Sequence, residues 1–143
     1  MPQLDNSDVL KQVLQTVIAI SRRKTSEGHA VSTLNTSLKN LESQYQFLKH
    51  IEVRDVQYLE EGNPVSVMTD VNAVPRMEVG KALVEIITTM TNSLGKNAGY
   101  FFIKELKNNL QDTYSTSFED MGLDLGLMQL ENEIRELGKK IQK

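Results

Sequence analysis

The sequence predicts an α+β fold that is mostly helical, with about five helices and one β-hairpin between helices two and three. Apolar residues recur at steps of three and four along most of the chain, which is the spacing of one helix face. Between residues 51 and 72 this spacing gives way to alternation around Gly62-Asn63-Pro64, which is typical of a hairpin. Together, the two patterns indicate helices that pack around a short ribbon.

The composition is that of a soluble protein without cysteine. The 143 residues are 39% hydrophobic and 24% charged, and we expect a single domain over residues 1–143. The absence of cysteine excludes a disulfide framework, a thiolate metal site and a cysteine nucleophile. No apolar run approaches the ~18 residues of a membrane span, and the N-terminus lacks the pattern of a signal peptide. We therefore expect a cytoplasmic protein with no membrane partner.

A helical hairpin is expected over residues 6–49. Its first helix begins at the Asn6-Ser7-Asp8 cap and ends near Arg23, with a broad apolar face. Its second helix begins after Ser26, a candidate N-cap, and continues to about Lys49. This second helix carries the first of two apolar stripes at heptad spacing, which consists of Val31, Leu34, Leu38, Leu41, Tyr45 and Leu48.

The β-hairpin is expected over residues 51–72. Its first strand changes phase midway, which indicates a bulge or a late strand start near Arg54 and Asp55. Its second strand alternates over residues 65–71. The side chains that this alternation turns toward the helices are Val65, Val67 and Val71.

A helical pair is expected over residues 76–112. The third helix begins after Pro75 and ends near Leu94, with Gly95 as the left-handed residue behind it. The fourth helix covers about residues 97–112, and the serine- and glycine-containing segment 114–126 is expected to be a loop. The apolar face predicted for the third helix consists of Met77, Leu83, Ile86, Ile87, Met90 and Leu94.

The second heptad stripe lies in an amphipathic helix expected over residues 123–141. The spacing alone leaves open whether the same chain or a second chain covers such a stripe, and both stripes are shorter than the ~3–4 heptads of a true coiled coil. Because this helix follows a predicted loop, we expect it to project and to form a homodimer or small homo-oligomer. The predicted interface consists of Leu123, Leu127, Leu130, Ile134, Leu137 and Ile141.

No catalytic or cofactor motif stands out, and we expect neither an enzyme nor a bound cofactor or metal. The two histidines, His29 and His50, have no neighbour at the spacing of a ligand pair. One glycine-bounded turn before a helix is a candidate anion site, because backbone N–H groups and the helix dipole would face a bound anion. Its residues are Lys96, Asn97 and Gly99, and a plain helix-hairpin turn is the alternative explanation for them.

We therefore expect a non-catalytic regulatory, sensory or adaptor module that acts through helix-mediated association with a second copy or another protein. The order helix, helix, hairpin leaves a winged-helix DNA-binding regulator as the alternative. Its wing tip would carry Glu60 and Glu61, and residues 51–75 hold one basic against five acidic residues, which disfavours a nucleic-acid partner. A small enzyme whose site is scattered over the sequence is the second alternative.

Overall fold

The computed structural model describes residues 5–54, 65–94 and 96–141. Within these ranges it confirms the predicted class, since the structure has five α-helices and a two-stranded antiparallel hairpin that lies between the second and third helix in the chain. Short 3-10 helices at Gln46–His50 and Thr69–Ala73 flank the hairpin. The elements in chain order are α1 (Asn6–Lys24), α2 (Glu27–Leu41), β1 (Ile51–Val53), β2 (Val65–Val67), α3 (Arg76–Ser93), α4 (Lys96–Met121) and α5 (Leu125–Ile141).

Helix α1 packs against most of the other elements. The apolar residues of the predicted broad face fall in two adjacent rows and are buried; they are Val9, Leu10, Val13, Leu14, Val17 and Ile18. It contacts α2, α3, α4 and the hairpin. The cations at its C-terminal end complement the helix dipole, and two of them, Arg23 and Lys24, pair with Glu105 on α4.

Helix α2 begins as predicted but ends early. Ser26 is its N-cap, and the Ser26 hydroxyl accepts a hydrogen bond of 3.1 Å from the backbone N–H of His29. The predicted continuation to Lys49 is wrong, because α2 ends at Leu41 and residues 46–50 form a 3-10 helix. The physical reason is the burial of Tyr45 and Phe47 together, since a continuous α-helix would turn residues two apart to nearly opposite sides.

The hairpin is shorter than its alternation predicts. The register pairs Ile51 with Val67 and Val53 with Val65, so the first strand starts at once and the predicted late start is wrong. The alternative was a bulge near Arg54 and Asp55: Arg54 follows the end of β1, and Asp55 lies outside the described residues. The amide of Asn35 on α2 donates a hydrogen bond of 3.0 Å to the Val53 carbonyl and fastens β1 to the helices.

The second strand ends at Val67, not at residue 71, because the following residues turn into a 3-10 helix against α1. The buried amide of Asn6 donates hydrogen bonds to the carbonyls of Val71 (3.0 Å) and Val74 (2.8 Å). These two carbonyls belong to the segment that the prediction continued as a strand, where they would have lain at an open sheet edge. The Asn6 amide satisfies both of them here. The prediction that Val65, Val67 and Val71 face the helices is confirmed, since Val65 and Val71 are fully buried and Val67 is half-buried.

Helices α3 and α4 form a tight antiparallel pair with a glycine contact near each end. A Cβ on Gly80 would lie 1.9 Å from the Met121 carbonyl oxygen, and one on Gly99 would lie 2.6 Å from the carbonyl oxygen of Thr91. Neither backbone approach leaves room for a side chain. Gly95, predicted as a left-handed residue between the two helices, lies outside the described residues.

Helix α4 extends nine residues beyond its predicted end, because it continues from Asp112 to Met121 through the segment expected to be a loop. Its buried residues keep a helical spacing through Leu110, Phe118 and Met121. This packing overrides the weak helix preference of the serines and threonines in that segment. The helix ends before Gly122, whose φ of +72° is the left-handed conformation that glycine adopts without strain.

One residue of the predicted apolar face of α3 lies on the wrong side. Met77 is 61% exposed, while Leu83, Ile86, Ile87 and Met90 are buried. Met77 precedes the buried Val79 by two positions, about 200° around the helix, so it points away from the core.

The buried apolar residues of all five helices and both strands form one connected cluster.

Candidate functional site

The last helix is set apart from α4 by a sharp elbow. Gly122 ends α4, and the backbone N–H of Leu123 donates a hydrogen bond of 2.9 Å to the Phe118 carbonyl. The Asp124 carboxylate then accepts a hydrogen bond of 3.0 Å from the N–H of Leu127 and caps the start of α5. The elbow fixes the direction in which α5 leaves the end of α4.

The inner face of α5 is apolar near its start and polar one turn later, within the residues whose side chains the structure describes. Leu125 is fully buried and Met128 packs partly buried against the core. One turn later the same face carries Asn132, which is 7% exposed. The row that faces the core thus changes from apolar to polar along the helix.

The outer face of α5 carries a row of exposed apolar side chains, which we call the outer stripe. Leu127 and Leu130 are each 50% exposed, and Ile134 is 59% exposed. At roughly 100° per residue, this row lies about 160° around the helix from the inner face, and the described part of the chain leaves half or more of each of these side chains exposed. Large apolar side chains in a contiguous exposed row are typical of an interaction surface.

The structure distributes the six predicted interface residues among three environments. Leu127, Leu130 and Ile134 form the outer stripe. Leu123 is 4% exposed, because it lies in the elbow and packs into the core of its own chain. Positions 137 and 141 continue the heptad spacing within α5, and their side chains lie outside the described part of the structure.

The first stripe has a different environment. Leu34 is fully buried, Leu38 and Leu48 are nearly so, and Leu41 packs partly buried against the core. Its residues are therefore covered by α1, α3 and the hairpin region of the same chain. Only the second stripe leaves an apolar row open to a partner among the residues described.

A small cavity lies behind α5, between it and α3 and α4. Asn132 projects into the cavity, and its side-chain amide makes no hydrogen bond to any described residue. Thr88 and Asn92 face it from α3, while Met128 and Ile103 form an apolar floor. Sequence reasoning missed this face, although the spacing of residues 125, 128 and 132 is the pattern that could have revealed it.

The candidate anion site is only partly described. Lys96 begins α4, and the side chains of residues 96 and 97 lie outside the described part of the structure. Gly99 is buried against the Thr91 backbone, which explains this glycine by helix packing and not by a ligand. Anion binding at this turn stays a prediction.

The described residues contain no group of three or more histidine and acidic side chains that could hold a metal ion. Burial raises the pKa of Tyr114, and the charge of Asp8 adds to the effect. Burial also raises the pKa of Tyr45, together with its hydrogen bond to Glu85 and the charges of Glu85 and Glu78. Both shifts favour the neutral phenol, whereas a tyrosine that acts as a nucleophile or base requires a lowered pKa.

The DNA-binding alternative requires a turn that splits residues 26–48 into two helices. That turn follows Leu41, and the second piece is a 3-10 helix of five residues, Gln46–His50, in which Phe47 and Leu48 are buried. This piece is shorter than a helix that reads the major groove. The predicted wing tip at Glu60 and Glu61 lies outside the described residues.

No protein-family model matches the sequence, and no solved structure gives a significant match. The described helices include none that is both long and apolar enough to cross a membrane.

Proposed function

We propose that the protein is a non-catalytic regulatory or adaptor module of the cytoplasm that works by self-association through the outer stripe of α5. The observation that carries this proposal is the exposure of Leu127, Leu130 and Ile134 on the side of α5 that faces away from the core. A helix of a soluble protein ordinarily turns its apolar face inward, because burial of apolar area is worth about 25 cal/mol per Å². Here the apolar row points outward.

The stability of α5 supports the same proposal. Gly126 and Gly138 each cost α5 roughly 1 kcal/mol of helix propensity relative to alanine. Among the residues of α5 whose side chains the structure describes, Leu125 and Met128 supply the apolar contacts of the inner face with the core. A partner that covers the outer stripe would supply the missing apolar contact along the rest of the helix.

Self-association is the form of partnership that the spacing favours. Residues at alternating steps of three and four fit as knobs into the holes of a second helix with the same spacing, and a second copy of α5 presents such a helix. A closed two-fold dimer then buries the same stripe on both chains. Association with a different protein through the same stripe is the alternative outcome of the test below.

Sedimentation velocity of the whole chain tests the proposal. At concentrations on the order of tens of micromolar the wild type is expected at twice the 16.2 kDa mass of one chain. Ile134→Asp, which places a charge on the stripe, should sediment as a single folded chain with unchanged circular dichroism. Gln129→Asp adds the same charge to α5 off the stripe and should remain dimeric. A wild type that stays monomeric over this range overturns self-association.

A further inference from the structure

The cavity behind α5 contains a buried amide without a hydrogen-bond partner. Asn132 is 7% exposed and faces the cavity, and its side-chain amide makes no hydrogen bond to any described residue. The hydroxyl of Thr88, on the α3 wall of the same cavity, also has no partner among these residues. Because nearly all buried polar groups in proteins are hydrogen-bonded, two such groups around one cavity indicate that it holds a polar molecule.

The size of the cavity limits which part of a ligand enters it. Its volume is about 40 Å³. One enclosed water needs about 10–15 Å³, so the cavity takes roughly three non-hydrogen atoms. Ile103 and Met128 line it with apolar surface, next to the polar groups of Asn132 and Thr88. A short side chain that ends in a hydroxyl group matches this lining, because a hydroxyl can both donate a hydrogen bond to an amide and accept one from it.

Two opposite charges stand at the mouth of the cavity. Glu131 and Arg135 both line it, and both side chains are exposed. They are four residues apart on α5, so they leave the same side of the helix. Neither makes an ion pair or a hydrogen bond with any described residue, including the other. A ligand that carries a cationic and an anionic group side by side would contact both, whereas a simple anion or cation would be repelled by one of them.

We infer that the cavity behind α5 binds a free α-amino acid with a small hydroxyl side chain, serine or threonine. The carboxylate of the ligand contacts Arg135, and its ammonium group contacts Glu131. The side-chain hydroxyl enters the cavity and bonds the amide of Asn132, which lies on the side of α5 opposite the outer stripe. The site is formed within one chain, so the inference goes beyond the proposed self-association and does not depend on it.

An NMR titration of the whole isotope-labelled chain tests the class of ligand. L-Serine should shift signals at Thr88, Asn92 and the side-chain amide of Asn132, with a dissociation constant below about 1 mM. L-Alanine lacks the hydroxyl and should bind about tenfold more weakly. β-Hydroxypropionate lacks the ammonium group and ethanolamine lacks the carboxylate, so each should also bind at least about tenfold more weakly. L-Leucine should not bind, because its side chain is too large for the cavity.

Four variants locate the site on the chain. Asn132→Leu should abolish the shifts with L-serine while the protein stays folded, because it replaces an unpaired buried amide by an apolar side chain. Glu131→Gln and Arg135→Gln each remove one charge at the mouth and should weaken binding about tenfold. Glu133→Gln is the matched control, since it removes the same charge from α5 at a residue that does not line the cavity. It should change the dissociation constant by no more than about twofold.

The outcomes distinguish an amino-acid site from a cavity that holds only water. The absence of shifts with L-serine up to on the order of 10 mM would overturn the inference. Shifts that persist in Asn132→Leu, or equal binding of L-serine and β-hydroxypropionate, would overturn it as well. A selective response to L-serine that Asn132→Leu removes and Glu133→Gln retains supports it, whether the chain is a monomer or a dimer.

Discussion

The two heptad stripes look alike in sequence and differ completely in their surroundings. In α2 and the 3-10 helix after it, Leu34, Leu38 and Leu48 are buried among α1, α3 and the hairpin region. In α5, Leu127, Leu130 and Ile134 keep half or more of their surface exposed. The comparison teaches that heptad spacing identifies an apolar face but does not say whether the same chain covers it. Only the fold decides that.

The difference arises from the way each helix is attached. The first stripe is followed by a turn and a hairpin, and Asn35 fastens that hairpin back onto α2. The elbow at Gly122 instead directs α5 so that Leu125 and Met128 face the core and the apolar row faces outward. The direction set by a single turn therefore determines which side of α5 is left open.

The largest expected effect comes from placing a charge in each stripe. Leu34→Asp buries a carboxylate in the core and should lower the free energy of unfolding by about 4 kcal/mol or more, which leaves little or no folded protein. Ile134→Asp should cost the monomer no more than about 1 kcal/mol. Urea denaturation at submicromolar concentration, followed by circular dichroism, measures both. Equal losses would show that α5 is packed as tightly as α2.

A matched pair of glycine substitutions should have opposite signs. Gly80→Ala forces a methyl group onto the Met121 carbonyl, and separating α3 from α4 should cost about 1–3 kcal/mol. Gly126→Ala meets only ordinary contacts at 3.4 Å and beyond, and it should stabilise α5 by roughly 1 kcal/mol through helix propensity. Thermal unfolding of the two variants checks the signs. Destabilisation by Gly126→Ala would mean that the start of α5 is crowded.

A second matched pair compares two buried asparagines. Asn6 donates two hydrogen bonds to backbone carbonyls, and Asn6→Ala should lower the free energy of unfolding by about 1–3 kcal/mol. Asn132 has no hydrogen-bond partner among the described residues. Asn132→Leu should therefore raise the free energy of unfolding by about 1 kcal/mol. Chemical denaturation of both variants measures the difference. A clear loss of stability in Asn132→Leu would show that the amide has a role in the cavity behind α5.

The smallest effect concerns pH and the first stripe. The folded state holds the Tyr45 phenol proton more tightly than the unfolded chain, because its pKa is raised above 10.0. The resulting stability is complete below the unfolded pKa and is lost as the pH rises through the folded value. The free energy of unfolding should therefore fall above pH ~10, and less steeply in Tyr45→Phe. Tyr114→Phe should also reduce the slope, since the pKa of Tyr114 is raised as well. Identical slopes in Tyr45→Phe and the wild type would contradict this assignment.

Much of the fold could be predicted from local chemistry. The Ser26 cap, the start of α3 behind Pro75 and the position of the hairpin depend on residues next to one another in sequence, and the structure confirms them. The errors came from long-range packing. The burial of Phe47 beside Tyr45 ended α2, and the burial of Phe118 and Met121 carried α4 through a segment of weak helix preference.

The candidate site, like the fold, could be predicted only in part from the sequence. The heptad spacing selected Leu127, Leu130 and Ile134, which the structure finds exposed. The inclusion of Leu123 and the omission of Asn132 both follow from the elbow at Gly122, whose direction depends on how α4 packs and not on any local pattern. A site formed by the orientation of one helix on another could not be predicted in full from the sequence.

The central claim is that a second copy covers the outer stripe and that the first stripe is covered only from within its own chain. Methyl NMR on a sample in which half of the chains carry isotope labels and half do not tests this directly. Nuclear Overhauser contacts between labelled and unlabelled chains should appear at the methyl groups of Leu127, Leu130 and Ile134 and be absent at those of Leu34 and Leu38. Contacts between chains at Leu34 and Leu38, or none at the three residues of α5, would contradict it.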